Sequence, residues 1–136
     1  MTEMDPAGES RQIACFRLGS RIVGVLAHCH GRLPCQNHQG SVRVGEDEFP
    51  IVDVVARIGL AASDPATDLV LVEEDGTRAA LKVVGPARLA RIDPEKLHAV
   101  PNVYPAGERA FWAGLWPTER GELLPLLSLS GVVGGQ

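Results

Sequence analysis

The sequence predicts an all-β fold made of two similar halves, each forming a small barrel of about five strands. Short apolar runs alternate with turn-forming residues along most of the chain, a pattern typical of β-hairpins. The dipeptide Asp75-Gly76, which lies between two apolar runs, is a strong short-range hairpin signal. The order hairpin, loop, hairpin then occurs twice, which favours two related β modules.

One six-residue pattern appears in both halves. Residues 49–54 (FPIVDV) and residues 124–129 (LPLLSL) share the order apolar, proline, apolar, apolar, polar, apolar. A Gly-Glu turn at Gly45 and at Gly121 precedes the two copies. Because the strands are short and aromatic residues are few, neither barrel alone buries much surface. We therefore expect the barrels to pack on each other, with a partner-binding groove between them.

The first half begins with a predicted hairpin over residues 13–27, which turns at Gly19-Ser20. The polar stretch 28–40, HCHGRLPCQNHQG, is interrupted by glycine and proline and is predicted to be a loop. A second hairpin follows with its turn at residues 45–47. The apolar stretch after it predicts one or two helical turns that end at Gly59.

The second half repeats this plan from residue 68. A hairpin surrounds Asp75-Gly76, and residues 88–92 are predicted to be a further strand. Asp93 is placed to cap a short helix whose first position is Pro94. Residues 111–129 are expected to close the fold as a final hairpin.

Composition narrows the classes of partner. The 136-residue chain carries a net charge of −4 and no basic block, so nucleic acid is not expected as a partner. No apolar run approaches the roughly 20 residues that span a bilayer, and the polar first residues do not resemble a signal peptide. Three cysteines fit a reducing compartment better than a disulfide scaffold. We expect a cytoplasmic protein without membrane insertion.

The order of these motifs resembles the CheW-like domain, the adaptor or coupling protein of bacterial chemotaxis, over about residues 11–133. CFRLGSRIVGVL is similar to the opening motif of that family. GSVRVGEDEFPIVDVVARIGL resembles its next segment, with Gly40, Pro50 and Asp53 in step. FWAGLWPTERGELLPLLSL is similar to its closing hairpin. Each motif alone is weak, but their order and spacing are specific.

The resemblance implies two interlocked SH3-like five-stranded barrels with short helical turns. We assign the first barrel to residues 11–62 and the second to residues 67–130, without deciding whether strands are exchanged. Residues 1–10 are expected to be flexible and residues 134–136 to form a tail. The resemblance also implies a scaffold with no catalytic centre and no cofactor. It would couple the cytoplasmic tip of a chemoreceptor to the regulatory domain of a CheA-type histidine kinase, in membrane-associated arrays.

The resemblance implies that the receptor tip lies in the groove and that the kinase domain contacts the barrel ends. Gly45 replaces an arginine of the family, while His30 and Arg32 replace an apolar and an acidic residue. A reversed charge at such a site favours a differently charged partner. Trp112 is expected to share a strand face with Trp116 and to serve as an anchor. The predicted partner contacts, all assigned to the groove, are Val25, His30, Arg32, Arg43, Val44, Gly45 and Trp112.

Two alternatives stay open from the sequence. One is a divergent adaptor that binds only one of the two partners. The other is a metal- or redox-responsive regulator that uses the segment from His28 to His38. There, Cys29, His30, Cys35 and His38 supply thiolate and imidazole ligands suited to Zn²⁺. Their spacing does not match paired zinc knuckles, so no metal is favoured. No phosphate loop or other catalytic motif is present, and we expect no enzyme.

Overall fold

The computed structural model describes residues 11–18, 21–35, 40–58, 65–99 and 110–133. The strands are β1 (Arg11–Leu18), β2 (Arg21–Leu26), β3 (His28–Pro34), β4 (Ser41–Val44), β5 (Asp47–Asp53), β6 (Asp68–Glu74), β7 (Thr77–Ile92), β8 (Trp112–Pro117) and β9 (Leu123–Ser128). The helices are α1 (Val54–Ile58), a 3-10 helix (Pro94–Lys96) and α2 (Leu129–Val133). Outside the described residues lie the predicted turn at Gly19-Ser20, the predicted helix end at Gly59, His38, the N-terminus predicted to be flexible and the predicted C-terminal tail. No helix of the described part is long and apolar enough to cross a membrane.

The strands of the described residues pair into two groups of five, with β7 shared, so the all-β prediction is confirmed. In barrel A, β1 pairs with β2 and with residues 84–92 of β7, β2 pairs in parallel with β9, and β9 pairs with β8. In barrel B, β6 pairs with β3 and with residues 77–83 of β7. The same part of β7 pairs in parallel with β5, and β5 pairs with β4. Both barrels therefore have the same strand order.

The barrels interlock because the chain crosses between them twice. The first crossing is at Ala27, between β2 and β3, and the second is near Gly85, inside β7. A Cβ atom on Gly85 would overlap the carboxylate of Asp68. That carboxylate accepts a hydrogen bond from the Ala87 N–H, with a distance of 3.2 Å. Strand pairing thus joins segments from both predicted ranges, 11–62 and 67–130, in each barrel.

The largest apolar cluster lies between the barrels rather than inside either one. On β6, Leu69 and Leu71 belong to the interior cluster of barrel B, whereas Val70 and Val72 belong to the shared cluster. On β1, alternate residues divide in the same way between the interior of barrel A and the shared cluster. A strand that is buried on both faces has a continuous apolar sequence, which explains the run LVLV in β6.

The repeated six-residue pattern forms the same structure in both copies. Each copy ends a strand that pairs in parallel with the returning strand of a hairpin, β7 in one case and β2 in the other. Asp53 Oδ1 accepts a hydrogen bond from the Ala56 N–H, and Ser128 Oγ accepts one from the Gly131 N–H, both at 3.2 Å. The polar residue of each copy therefore caps the short helix that follows.

The predicted hairpins and caps are confirmed in the described residues. Asp75 and Gly76 have φ values of 52° and 83°, which a two-residue turn with positive φ at both positions requires. The hairpins formed by β4 with β5 and by β8 with β9 lie where the sequence predicted them. Asp93 caps the 3-10 helix by accepting a hydrogen bond from the Glu95 N–H at 3.0 Å.

Two local predictions are wrong. Residues 28–34, predicted to be a loop, form β3 and pair with β6. The register of β3 against β6 shifts between Cys29 and Gly31, which indicates a β-bulge there. Along β3, exposed and half-buried residues alternate. Pairing with a distant strand overrides the turn-forming composition of this segment. Residues 88–92 continue β7 instead of forming a separate strand.

Candidate interaction surfaces

Large exposed apolar side chains mark three surfaces of the described structure. Ile22 and Leu123, which are 53% and 49% exposed, lie together at one end of barrel A, which we call the A end. Leu89, 58% exposed, lines the groove between the barrels. Val44, 45% exposed, lies at the turn between β4 and β5, which we call the B end. Such positions on an otherwise buried apolar framework mark candidate contact sites.

The groove runs between β3 of barrel B and residues 84–92 of β7 in barrel A, and it encloses about 540 Å³. Buried side chains from both barrels form its floor, namely Ala14, Val70 and Ala87. Its walls are formed by Cys29, His30, Gly31 and Arg32 on one side and by Arg88 and Leu89 on the other. Arg32 Nη1 donates a hydrogen bond of 2.6 Å to the Ala87 carbonyl oxygen and so connects the two barrels. His30 and Arg32 therefore lie where the sequence placed them.

His30 is held at the rim of the groove by a charged network of barrel B. Its Nε2 lies 2.9 Å from Glu73 Oε1, and Arg78 Nε lies 3.6 Å from the same oxygen. Arg78 Nη2 also pairs with Asp47 Oδ1 at 3.2 Å, which ties the network to the hairpin of β4 and β5. The His30 ring contacts the edge of Phe49, with centroids 5.6 Å apart. These contacts orient the imidazole and occupy the nearest carboxylate.

Three predicted groove residues lie at the B end instead. Arg43, Val44 and Gly45 are exposed at the turn between β4 and β5 and do not line the groove. Gly45 has a φ of 63°, a value that glycine adopts at little cost. The sequence pattern located the turn correctly, but it contained no information on the distance from this turn to the groove.

Val25 and Trp112 do not lie where the groove prediction placed them. Val25 is fully buried in the cluster shared by the barrels, so its side chain is inaccessible to a partner. Trp112 is half-buried against that same cluster, whereas Trp116, also half-buried, packs against the interior cluster of barrel A. The expected shared face is wrong because the pairing of β8 with β9 shifts register between Trp112 and Gly114.

The A end was not identified from the sequence. It contains an open cavity of about 730 Å³ with an apolar lining that includes Ile22, Trp116 and Leu123. Charged residues of both signs border it, namely Arg21, Glu119, Arg120 and Glu122. Ile22 belongs to an apolar run whose next residues are buried, so the sequence alone does not show that Ile22 is exposed.

Within the described residues, the thiol and imidazole groups considered for zinc do not converge. Cys29 and Cys35 are six residues apart along extended backbone, a separation of roughly 20 Å. No group of three potential ligands forms among the residues that the structure describes, and His38 lies outside them. Burial raises the pKa of the Cys15 and Cys29 thiols. These two thiols therefore resist becoming the thiolates that bind metals or act as nucleophiles.

The fold and the comparisons with known proteins agree. The family model described as the CheW-like domain matches residues 15–135. The crystal structure of the scaffolding protein TtCheW from Thermoanaerobacter tengcongensis superposes with a TM-score of 0.70 and 19% sequence identity, over 93% of this chain and 95% of that chain. The likeness shows that both barrels are SH3-like. None of the curated proteins matches the sequence. This chain belongs to the family of CheW-like domains.

Proposed function

We propose that the chain is a non-catalytic scaffold that couples chemoreceptor input to a CheA-type histidine kinase in a chemotaxis-like pathway. One observation carries this proposal: the A end and the groove are two surfaces whose linings share no residue, although Ile22 of the A end and Arg88 of the groove both border a smaller cavity between them. A coupling protein needs two such surfaces on a body that keeps them at a fixed separation. The interlocked barrels and their shared core supply that body.

The A end is the proposed docking surface for the regulatory domain of the kinase. Ile22 and Leu123 present apolar area around a cavity, and charges of both signs surround it. An apolar centre with a polar rim is the usual anatomy of a protein–protein interface. The rim charges favour one orientation of the partner, because like charges repel in any other.

The groove is the proposed docking surface for the receptor tip, with His30 and Arg32 as contacts. We propose the B end as a further contact, through Arg43, Val44 and Gly45. These residues are exposed in the hairpin of β4 and β5, which the charged network connects to β3. Trp112, half-buried against the shared core, is proposed to support this surface rather than to anchor a partner. Such a scaffold would act in the cytoplasm, where it is recruited to receptor arrays.

Titration of the full chain with the double-barrel regulatory domain of its cognate kinase tests the proposal. We expect binding in the micromolar range, and we expect Leu123→Glu to weaken it by more than about tenfold because the charge is buried in the interface. Val44→Glu places the same charge at the B end and tests that surface, whereas Ala56→Glu, exposed on α1 outside both proposed surfaces, is the matched control.

The outcomes separate the parts of the proposal. Absence of kinase binding at tens of micromolar, about 6–7 kcal/mol of affinity, would contradict the scaffold function. Binding that is lost in Val44→Glu and kept in Leu123→Glu would move the kinase contact to the B end. Kinase binding without receptor-tip binding would identify an adaptor with a single partner.

A further inference from the structure

We propose that the groove binds an acidic segment of a partner protein, one that carries an apolar side chain between carboxylates. This inference rests on the proposed function in taking the groove as a docking surface, and it adds the chemistry of the occupant. A receptor tip or another protein segment with this chemistry would fit the groove.

Positive charge is concentrated on the two walls. Arg32 is exposed on β3 and Arg88 is exposed on β7, and none of the described lining residues is acidic. Arg88 forms no ion pair within the described part of the chain. Two carboxylates lie close to the groove without lining it. Glu73 is engaged by His30 and Arg78, and Asp68 accepts a hydrogen bond from the Ala87 N–H. The groove is therefore basic in a chain whose net charge is −4.

The guanidinium of Arg32 has donors to spare. One nitrogen, Nη1, donates to the Ala87 carbonyl oxygen at 2.6 Å, which fixes the side chain across the groove. An arginine carries five N–H donors in a planar fork that matches a carboxylate. Because the side chain is already positioned, less rotamer entropy is lost when a carboxylate binds to the remaining donors.

The rest of the groove is apolar. Leu89 is paired with Ala14 across the strands, which places an exposed leucine beside the buried floor. A volume of about 540 Å³ accommodates a large apolar side chain together with part of the backbone that carries it. A polyanion such as nucleic acid would leave this apolar surface without a partner, so an acidic protein segment is the better match.

The experiment uses the full chain and two synthetic helical peptides. The acidic peptide presents one leucine with glutamates on the same face, and the matched peptide carries glutamines instead. We expect the acidic peptide to bind and to shift the amide NMR signals of β3 and of residues 84–92. We expect the glutamine peptide to bind about tenfold more weakly. We also expect added salt to weaken the binding of the acidic peptide.

Two matched variants assign the binding to the groove. Arg88→Glu should weaken the binding of the acidic peptide by about tenfold, and Arg88→Gln should weaken it by a smaller factor. Arg57→Glu, on the exposed side of α1, changes the net charge equally and should leave binding within about twofold. Thermal unfolding of each variant checks that it is folded.

Equal binding of both peptides, or equal effects of Arg88→Glu and Arg57→Glu, would overturn the inference. A single-stranded oligonucleotide that binds as tightly as the acidic peptide, with the same dependence on Arg88, would overturn it too. Titration of the kinase domain into the same samples separates the two proposals. If the acidic peptide does not bind but the kinase domain does, only this inference is refuted. If the peptide binds but the kinase domain does not, only the proposed function is refuted.

Discussion

Barrel A and barrel B arrange equivalent strands in the same order, so their residues are comparable one by one. Ile22 and Arg78 are each the second residue of the returning strand of the hairpin that begins a barrel. Leu123 and Glu48 each directly precede the repeated six-residue pattern. At these matched positions barrel A is apolar and open, whereas barrel B is charged and its Arg78 joins Glu73 and other groups in a network.

The difference between the ends shows which positions the fold leaves free. Residues that face the shared core are apolar in both barrels, because burial there stabilises the whole molecule. Residues at the ends face solvent, so their chemistry can change at little cost in folding stability. The proposed kinase contact lies at the end where the positions matched to Arg78 and Glu48 are occupied by Ile22 and Leu123.

The largest predicted effect tests whether the barrels fold as one unit. Leu81→Ala, in the barrel B part of the shared core, should lower the free energy of unfolding by about 3 kcal/mol. Both tryptophans, Trp112 and Trp116, lie in barrel A. Urea unfolding followed by tryptophan fluorescence and by circular dichroism should therefore show the same shift. A fluorescence transition that stays at its wild-type midpoint would mean that the barrels unfold separately.

The second prediction concerns the crossing inside β7. Gly85→Ala should destabilise the chain by about 2 kcal/mol, because its Cβ displaces the Asp68 carboxylate from the Ala87 N–H. The other crossing already holds a Cβ, that of Ala27, and this side chain is fully buried. In the background Asp68→Ala the same glycine substitution should cost clearly less, as a double-mutant cycle would show. An unchanged cost in that background would contradict the proposed overlap.

The third prediction tests the equivalence of the two repeat copies. Asp53→Ala and Ser128→Ala each remove the cap of one short helix, and each should cost about 1 kcal/mol of unfolding free energy. Asp53→Asn, which keeps a capping oxygen, is the control and should cost much less. If one cap proves dispensable while the other does not, the two copies differ in energy despite their shared geometry.

The smallest predicted effect involves the thiols of the buried Cys15 and the half-buried Cys29. Burial raises the pKa of Cys15 and Cys29, so both should react with iodoacetamide more slowly in the folded chain than in urea, as mass spectrometry can measure. Above the ordinary thiol pKa the unfolded chain binds fewer protons, so folding stability should fall as pH rises through this range. Equal rates in folded and unfolded chains would contradict the burial of these thiols and would revive the redox alternative.

Local features were predicted from the sequence, and long-range ones were not. The Asp75-Gly76 turn, the Asp93 cap and the repeat depend on neighbouring residues, so their patterns were sufficient. β3 was missed because its partner, β6, lies some 40 residues later, and pairing rather than composition makes it a strand. The groove combines Arg32 with Arg88 from separate barrels, and no spacing in the sequence shows that they meet.

The most direct test of the scaffold account is a titration with both partners together. The chain is saturated with the receptor-tip hairpin, and the regulatory domain of the kinase is then added while the mass of the complex is followed by light scattering. Because the A end and the groove share no residue, we predict one complex that contains all three proteins, with kinase affinity unchanged by the receptor. Displacement of the receptor by the kinase domain would contradict the account.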